Sequence, residues 1–172
     1  MERAAGRREM SKTGVLIFFC GKMGAGKTTL SKQIAGERNA VLMSEDEWLA
    51  ALYPGQISSF DDYLACSKRL RPLVKSLVRD ILLTGTDVVM DFPANTRPQR
   101  KWFLDLVSDI GAGHQLIYLN ISDAQCLKQI GKRRKEQPER SAFDTEAMFR
   151  RVTRFFEDPG SDEGVHIRQI NA

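Results

Sequence analysis

Eight residues, Gly21–Thr28, constrain the fold of this chain more than any other segment. They read GKMGAGKT and match the pattern GxxxxGK[ST]. The run before them, Val15–Cys20, is continuously apolar and rich in β-branched and aromatic side chains. Such a run predicts a strand that is buried on both faces of a parallel sheet. Apolar residues at four-residue spacing then predict a helix over 28–37. Strand, glycine-rich loop and helix therefore follow one another in that order.

The glycine-rich segment has the chemistry of a phosphate-binding loop. Glycines permit backbone conformations and close approaches that a Cβ would block, so that successive N–H groups can converge on phosphate oxygens. The start of the following helix adds the positive end of its dipole. Lys27 would give a point charge to the β and γ phosphates, and the Thr28 hydroxyl is placed to ligate Mg²⁺. The residues that we expect to bind nucleotide are Gly21, Lys22, Met23, Gly24, Ala25, Gly26, Lys27, Thr28 and Thr29.

Strand and helix patterns alternate along the rest of the chain. Apolar runs predict further strands at 40–43, 86–91, 115–121 and 165–170. Amphipathic spacing predicts helices at 61–83, 99–107, 123–135 and 146–156, and Ser44 with Glu47 marks the start of another. Pro72 is expected to kink the long helix or to start its second segment. We therefore predict an α/β protein with a three-layer P-loop NTPase fold, in which helices cover both faces of a parallel five-stranded sheet.

Length and composition narrow the class of protein further. The 172 residues can close one sizeable core, so we expect one domain over 14–172 and a flexible basic arm over 1–13. The formal net charge of +4 favours an anionic ligand. The apolar runs are too short to span a membrane, and three cysteines at unrelated spacings do not indicate a disulfide framework. We expect a cytoplasmic protein without membrane contact.

Two carboxylates follow predicted strands at the edge where parallel strands end. Asp91 ends the third strand and is a candidate magnesium ligand, although a turn residue is the alternative. Asp46 comes just after the second strand and can accept the proton of an acceptor hydroxyl, although helix capping is its alternative. Trp48 could stack on a substrate ring or pack in the core.

A basic stretch precedes a break in helical structure. Lys132–Lys135 lies at the predicted end of a helix, and Pro138 follows shortly after it. We predict a small helical lid over about 128–143, from which an arginine can fold onto a transferring phosphoryl group. A solvated helix end is the alternative for most of these cations.

The order of these motifs resembles a family of small P-loop kinases that includes AAA-domain predicted kinases. This group is related to polynucleotide 5′-hydroxyl kinases, zeta toxins and chloramphenicol phosphotransferase. The resemblance rests on the segments GKMGAGKTTL, SEDEWLAALYP, VVMDFPANTRPQR, CLKQIGKRRKEQPERSAF and FEDPGSDEG. It implies a P-loop kinase domain over 14–172 that uses ATP and Mg²⁺. By the same resemblance Asp46 matches the general base, Arg133 matches the lid arginine, and Asn95 and Arg100 fall in a substrate-side segment.

One departure from the family pattern bears on the acceptor. Polynucleotide kinases carry an arginine three residues beyond the base, whereas this chain has Leu49 there. We therefore favour a small-molecule hydroxyl acceptor over nucleic acid. A polynucleotide 5′-hydroxyl kinase and a regulatory ATPase without an acceptor stay open as alternatives. We expect a monomer or a homodimer.

Overall fold

The computed structural model describes residues 12–171, and five strands alternate with helices along them. The strands are β1 (Val15–Cys20), β2 (Val41–Ser44), β3 (Val88–Pro93), β4 (Gly113–Asn120) and β5 (Ile167–Asn171). The α-helices are α1 (Lys27–Arg38), α2 (Glu45–Leu52), α3 (Phe60–Leu83), α4 (Arg97–Ser108), α5 (Asp123–Glu136) and α6 (Glu146–Thr153). Short 3₁₀ turns occupy Pro138–Arg140 and Ser161–Glu163. The arm predicted over 1–13 lies almost wholly outside the described residues.

The five strands form one parallel sheet in the order β2-β3-β1-β4-β5. The central strand β1 is buried from Leu16 to Cys20, as its continuous apolar run predicted. Alternate side chains of β1 enter two separate cores. One core contains residues of α2, α3 and α4, and the other contains residues of α1, α5 and α6. The predicted three-layer α/β fold is confirmed.

The long helix α3 continues through Pro72 without a second start. Its N-terminus is fixed by a capping box, in which the Ser59 hydroxyl accepts from the Asp62 N–H and the Asp62 carboxylate accepts from the Ser59 N–H. Pro72 is exposed, so the carbonyl that loses its helical donor can be solvated. The buried face continues on both sides of the proline, and it comprises Leu70, Val74, Val78 and Leu82. Packing of that face therefore outweighs the local cost of proline.

The parallel register brings the ends of β2 and β3 together. Ser44, the last residue of β2, lies opposite Asp91. Ser44 also caps α2, because its hydroxyl accepts from the Glu47 N–H at 3.5 Å. The first turn of α2 therefore stands beside the end of β3. No helix within residues 12–171 is both long and apolar enough to cross a membrane.

Candidate active site

The loop between β1 and α1 has the backbone conformation that its glycines permit. Gly24 and Gly26 have φ angles of +79° and +93°. A Cβ on Gly24 would lie 2.6 Å from the carbonyl oxygen of Cys126 and 2.7 Å from the Ile130 side chain. Helix α5 therefore packs directly on the loop, and a larger residue than glycine would force the two apart. Helix α1 begins at Lys27, directly after Gly26, so the positive end of its dipole lies at the end of the loop.

Lys27 lies across this loop. Its Nζ donates to the carbonyl oxygens of Gly21 and Lys22, the latter at 2.9 Å. Burial lowers the pKa of Lys27, and the positive charge of Arg133 lowers it further. The nearby carboxylate of Asp91 acts in the opposite direction. The lysine charge is thus placed where phosphate oxygens would lie if the loop binds a nucleotide.

Four of the predicted site residues converge on the end of β3. Burial raises the pKa of Asp91, and the negative charge of Asp46 raises it further. A hydrogen bond from Thr28 and the charge of Lys27 lower it. A hydroxyl and a carboxylate beside a phosphate-binding loop are hard oxygen ligands of the kind that Mg²⁺ takes. The residues present therefore fit a magnesium site at Thr28 and Asp91.

Asp46 and its neighbour Glu45 have opposite environments. Asp46 is exposed in the first turn of α2, whereas Glu45 is 1% exposed. The Glu45 carboxylate accepts from the Ser67 hydroxyl at 2.5 Å and from the Tyr63 hydroxyl. Glu45 therefore anchors α2 to α3 and leaves the Asp46 carboxylate open to the site. Trp48 is half-buried and packs against the core below α2.

Asn95 contacts the phosphate-binding loop itself. Its Oδ1 accepts from the Gly21 N–H at 3.0 Å. The Gln99 side chain accepts from the backbone N–H groups of Asn95 and Thr96 at 2.8 and 3.1 Å, which fixes the turn before α4. The resemblance assigns Asn95 to a substrate-side segment, which stays a prediction, and in this structure its side chain supports the loop.

Arg100 is enclosed in the protein rather than directed at the site. Its side chain is 0% exposed. It donates to both oxygens of Glu163 at 2.7 and 2.9 Å and to the carbonyls of Ala94 and Glu157 at 3.1 and 2.9 Å. These bonds tie the end of β3 to the segment before β5. Protein oxygens take these donors of Arg100, so the arrangement favours a structural role, and the substrate contact that the resemblance implies stays a prediction.

Removing this arginine is expected to destabilise the fold. Arg100→Ala leaves the nearly buried Glu163 carboxylate without its partner, which costs about 3–5 kcal/mol in free energy of unfolding. Lys101→Ala is the matched control, since Lys101 forms an exposed pair with Asp105 at 2.8 Å and its loss costs at most about 1 kcal/mol. Urea unfolding of both variants measures the difference. Equal stability of the two variants would contradict the structural role of Arg100 and would favour the substrate contact that the resemblance implies.

The predicted lid arginine, Arg133, is half-buried and pairs with a buried carboxylate. Arg133 donates through Nε and Nη2 to the two oxygens of Asp144 at 2.7 and 2.6 Å, and Arg140 reaches the same carboxylate at 3.3 Å. Asp144 is 1% exposed, so it fixes both arginines to the segment after α5. The basic run predicted the arginine, but no local pattern indicated Asp144.

Comparisons with known proteins agree with the fold described above. A family described as an AAA domain matches residues 16–159. No curated protein matches the chain. A solved candidate kinase from Chloroflexus aurantiacus is 20% identical, with a TM-score of 0.72 over 93% of this chain and 86% of that one.

Two further solved structures share the fold. The Mycobacterium tuberculosis APS kinase CysC, in complex with AMPPNP and APS, is 16% identical, with a TM-score of 0.59 over 93% of this chain and 89% of that one. Chaetomium thermophilum Kti12, in complex with ADP-AlF3, is 16% identical, with a TM-score of 0.65 over 91% and 88%. At these identities the structures establish the fold alone. The family match covers most of the chain, and the chain therefore belongs to the AAA domain family, with the nucleotide-binding fold of the P-loop kinases.

Proposed function

We propose that this protein is an ATP-dependent phosphotransferase that moves the γ-phosphoryl group to a hydroxyl of a small molecule. The observation that carries the proposal is the position of Asp46. This exposed carboxylate lies in the first turn of α2, which stands beside the end of β3 because Ser44 lies opposite Asp91. Thr28 and Lys27 at the start of α1 both act on the Asp91 carboxyl. A nucleotide-binding fold needs no such carboxylate to hold ATP, whereas transfer to a hydroxyl needs a proton acceptor.

Each residue of the site has a role in this transfer. The loop N–H groups and Lys27 bind the phosphates, and Thr28 with Asp91 would hold Mg²⁺, which neutralises phosphate charge when bound. The acceptor oxygen forms a bond to the γ-phosphorus, the bond from that phosphorus to the β,γ-bridging oxygen breaks, and the hydroxyl proton moves to Asp46. Asp46 is exposed to solvent, so its carboxylate is accessible to an acceptor hydroxyl. Trp48, two residues further on, is assigned to the acceptor side.

Arg133 is the lid residue that we assign to the transferring phosphoryl group. Its charge acts on Lys27, and Asp144 orients its guanidinium. A contact made chiefly in the transition state lowers the barrier without strengthening ground-state binding.

Arg133→Ala is therefore expected to lower kcat by about 10²- to 10³-fold with little change in the Kd for ATP. The exposed neighbour Arg134 provides the control variant, Arg134→Ala, which should keep kcat within about threefold of wild type. Steady-state kinetics and fluorescent-nucleotide titration measure the two quantities. A larger effect of Arg134→Ala would show that the lid arginine is assigned to the wrong position.

A small acceptor is favoured over a polynucleotide because Leu49 cannot bind a phosphate. A small acceptor predicts that the acceptor KM depends only weakly on salt concentration. A single-stranded nucleic acid releases counterions, so its log affinity falls with log salt at a slope of about −0.7 per phosphate contacted. We expect a slope for the acceptor KM that corresponds to at most about one such contact. Kinetics between low and physiological salt measure it. Efficient phosphorylation of 5′-hydroxyl oligonucleotides with a steep slope, retained in a chain that starts at Met10, would contradict this prediction.

The experiment that tests the proposed function is a screen of ATP consumption and of ³²P transfer from γ-labelled ATP. Its panel contains alcohols, nucleosides, aminoglycosides, chloramphenicol and 5′-hydroxyl oligonucleotides. We expect one class of small hydroxyl compound to accept label at a rate that far exceeds basal hydrolysis. The regulatory ATPase alternative predicts hydrolysis that no acceptor increases.

A further inference from the structure

Arg71 is a half-buried cation on α3, on the helix face that holds Glu45 at the start of α2. Tyr63 and Ser67, which hold Glu45, lie at four-residue spacing on α3, and Arg71 continues the same row one turn later. Since Glu45 directly precedes Asp46, this row places Arg71 near the start of α2. The charges of Asp46 and Arg71 both act on Glu45, where the first raises the pKa of the carboxyl and the second lowers it, after burial as the main cause of its raised value.

The guanidinium of Arg71 is oriented by an aromatic ring rather than by a carboxylate. It lies over the ring of Trp102, with 4.9 Å between Cζ and the ring centroid. Trp102 in turn stacks on Phe92, the residue after Asp91, with their centroids 6.3 Å apart. Because successive strand side chains point to opposite faces, Phe92 lies on the sheet face that packs against α2, α3 and α4, and the aromatic pair connects Arg71 to that face of β3. A cation–π contact fixes the plane of the guanidinium and leaves its N–H edges free to donate.

No carboxylate within residues 12–171 lies within 4.0 Å of the Arg71 guanidinium. Glu45, whose carboxyl pKa the charge of Arg71 lowers, has one oxygen bonded to Ser67 and the other to Tyr63. Arg79 on the same helix differs from Arg71, because Arg79 pairs with the Asp109 carboxylate at 3.5 Å. A partly desolvated guanidinium without an acid gains more from a bound oxyanion than a fully solvated one does.

We propose that Arg71, held by Trp102, binds an oxyanion of the phosphoryl acceptor, so that the acceptor is a small hydroxyl compound that carries a carboxylate, sulfate or phosphate. This inference rests on the proposed function and narrows its substrate class. The guanidinium fork matches the two oxygens of such a group. Binding there would hold the acceptor between α2 and α3, with a hydroxyl directed at Asp46.

The first test compares matched acceptors that differ in one oxyanion. The pairs are glycerol with glycerate, glucose with gluconate, and ribose with ribose 5-phosphate. Wild type is expected to phosphorylate the charged member of at least one pair with the higher kcat/KM. Arg71→Ala should raise the KM for that member by about 10- to 100-fold, with little change in kcat or in the Kd for ATP, because a charge-assisted contact to the ground state is lost. Arg71→Lys should restore part of the affinity.

The control variant is Arg69→Ala, which removes an exposed cation from the same helix. It should leave the KM for the charged acceptor within about twofold of wild type, because an exposed charge acts weakly at that distance. Thermal unfolding of each variant confirms that the fold is retained. A neutral member preferred in every pair, or equal KM values for Arg71→Ala and Arg69→Ala, would overturn the inference.

The second test needs no turnover. Inorganic sulfate is titrated by calorimetry into protein whose phosphate-binding loop is occupied by a non-hydrolysable ATP analogue. We expect binding to wild type and to Arg69→Ala, and at least about tenfold weaker binding to Arg71→Ala. Sulfate binding that does not depend on Arg71 would overturn the anion site.

The two tests separate the inference from the proposed function on which it rests. Arg71-dependent sulfate binding without phosphoryl transfer to any hydroxyl compound would contradict the proposed function and leave the anion site in place. Transfer to neutral acceptors that is independent of Arg71 would contradict this inference and leave the proposed function in place.

Discussion

Replacing Lys27 with alanine is expected to lower kcat/KM by about 10²- to 10³-fold, or about 3–4 kcal/mol. The Lys27 ammonium lies over the loop that carries Gly24 and Gly26, where phosphate oxygens would bind. Its removal takes away both a ground-state contact and a transition-state contact. Part of the loss should therefore appear as a raised Kd for ATP and part as a lowered kcat.

Lys32→Ala is the control for this prediction. Lys32 lies on the same helix but pairs with Glu47 at the surface at 3.3 Å, so its loss should change kcat/KM by less than about tenfold. Steady-state kinetics on both variants give the comparison. Activity of Lys27→Ala within tenfold of wild type would refute the assignment of the loop as the phosphate site.

Asp46→Asn is expected to lower kcat by about 10²- to 10⁴-fold while ATP affinity and Tm stay near wild type. Asparagine keeps the size of the side chain but cannot accept a proton. Asp46 is exposed, and Ser44 rather than Asp46 caps α2, so little stability depends on the carboxylate. The measurement is kcat, Kd for ATP and Tm on the same preparation.

Glu47→Gln provides the matched control, because Glu47 is an exposed acid in the same helical turn. It should retain kcat within about threefold of wild type. A purely structural role of Asp46 predicts the reverse pattern, in which Tm falls and kcat is nearly normal. Equal kcat values for the two variants would show that Asp46 is not the proton acceptor.

Local sequence predicted most of the secondary structure and part of the site. The strand Val15–Cys20 was predicted at its observed bounds, since a fully buried strand must be apolar throughout. Pro72 was expected to kink helix α3 or to start its second segment, and the structure shows one helix over Phe60–Leu83 without a second start. The hydrophobic face on both sides of the proline was visible in the sequence, but the energy gained by packing it was not.

The contacts that define the site's surroundings join residues far apart in the chain, and no local pattern indicates them. Arg100 pairs with Glu163 across 63 positions, so no local pattern could indicate this pairing. The ion pair of Arg133 with Asp144 could likewise not be predicted from local sequence. Such partners are set by tertiary packing, whereas hydrophobic periodicity reports only which face of an element is buried.

The fate of the γ-phosphate tests the central claim most directly. Protein, γ-³²P-labelled ATP and an acceptor identified in the screen are incubated in ¹⁸O-water, and labelled product and inorganic phosphate are quantified for wild type and Asp46→Asn. The phosphotransferase account predicts that wild type places most of the ³²P on the acceptor, with little ¹⁸O-containing inorganic phosphate. It also predicts that Asp46→Asn loses acceptor labelling while it still binds ATP. Release of ³²P chiefly as ¹⁸O-containing inorganic phosphate, at a rate that neither the acceptor nor Asp46→Asn changes, would contradict it.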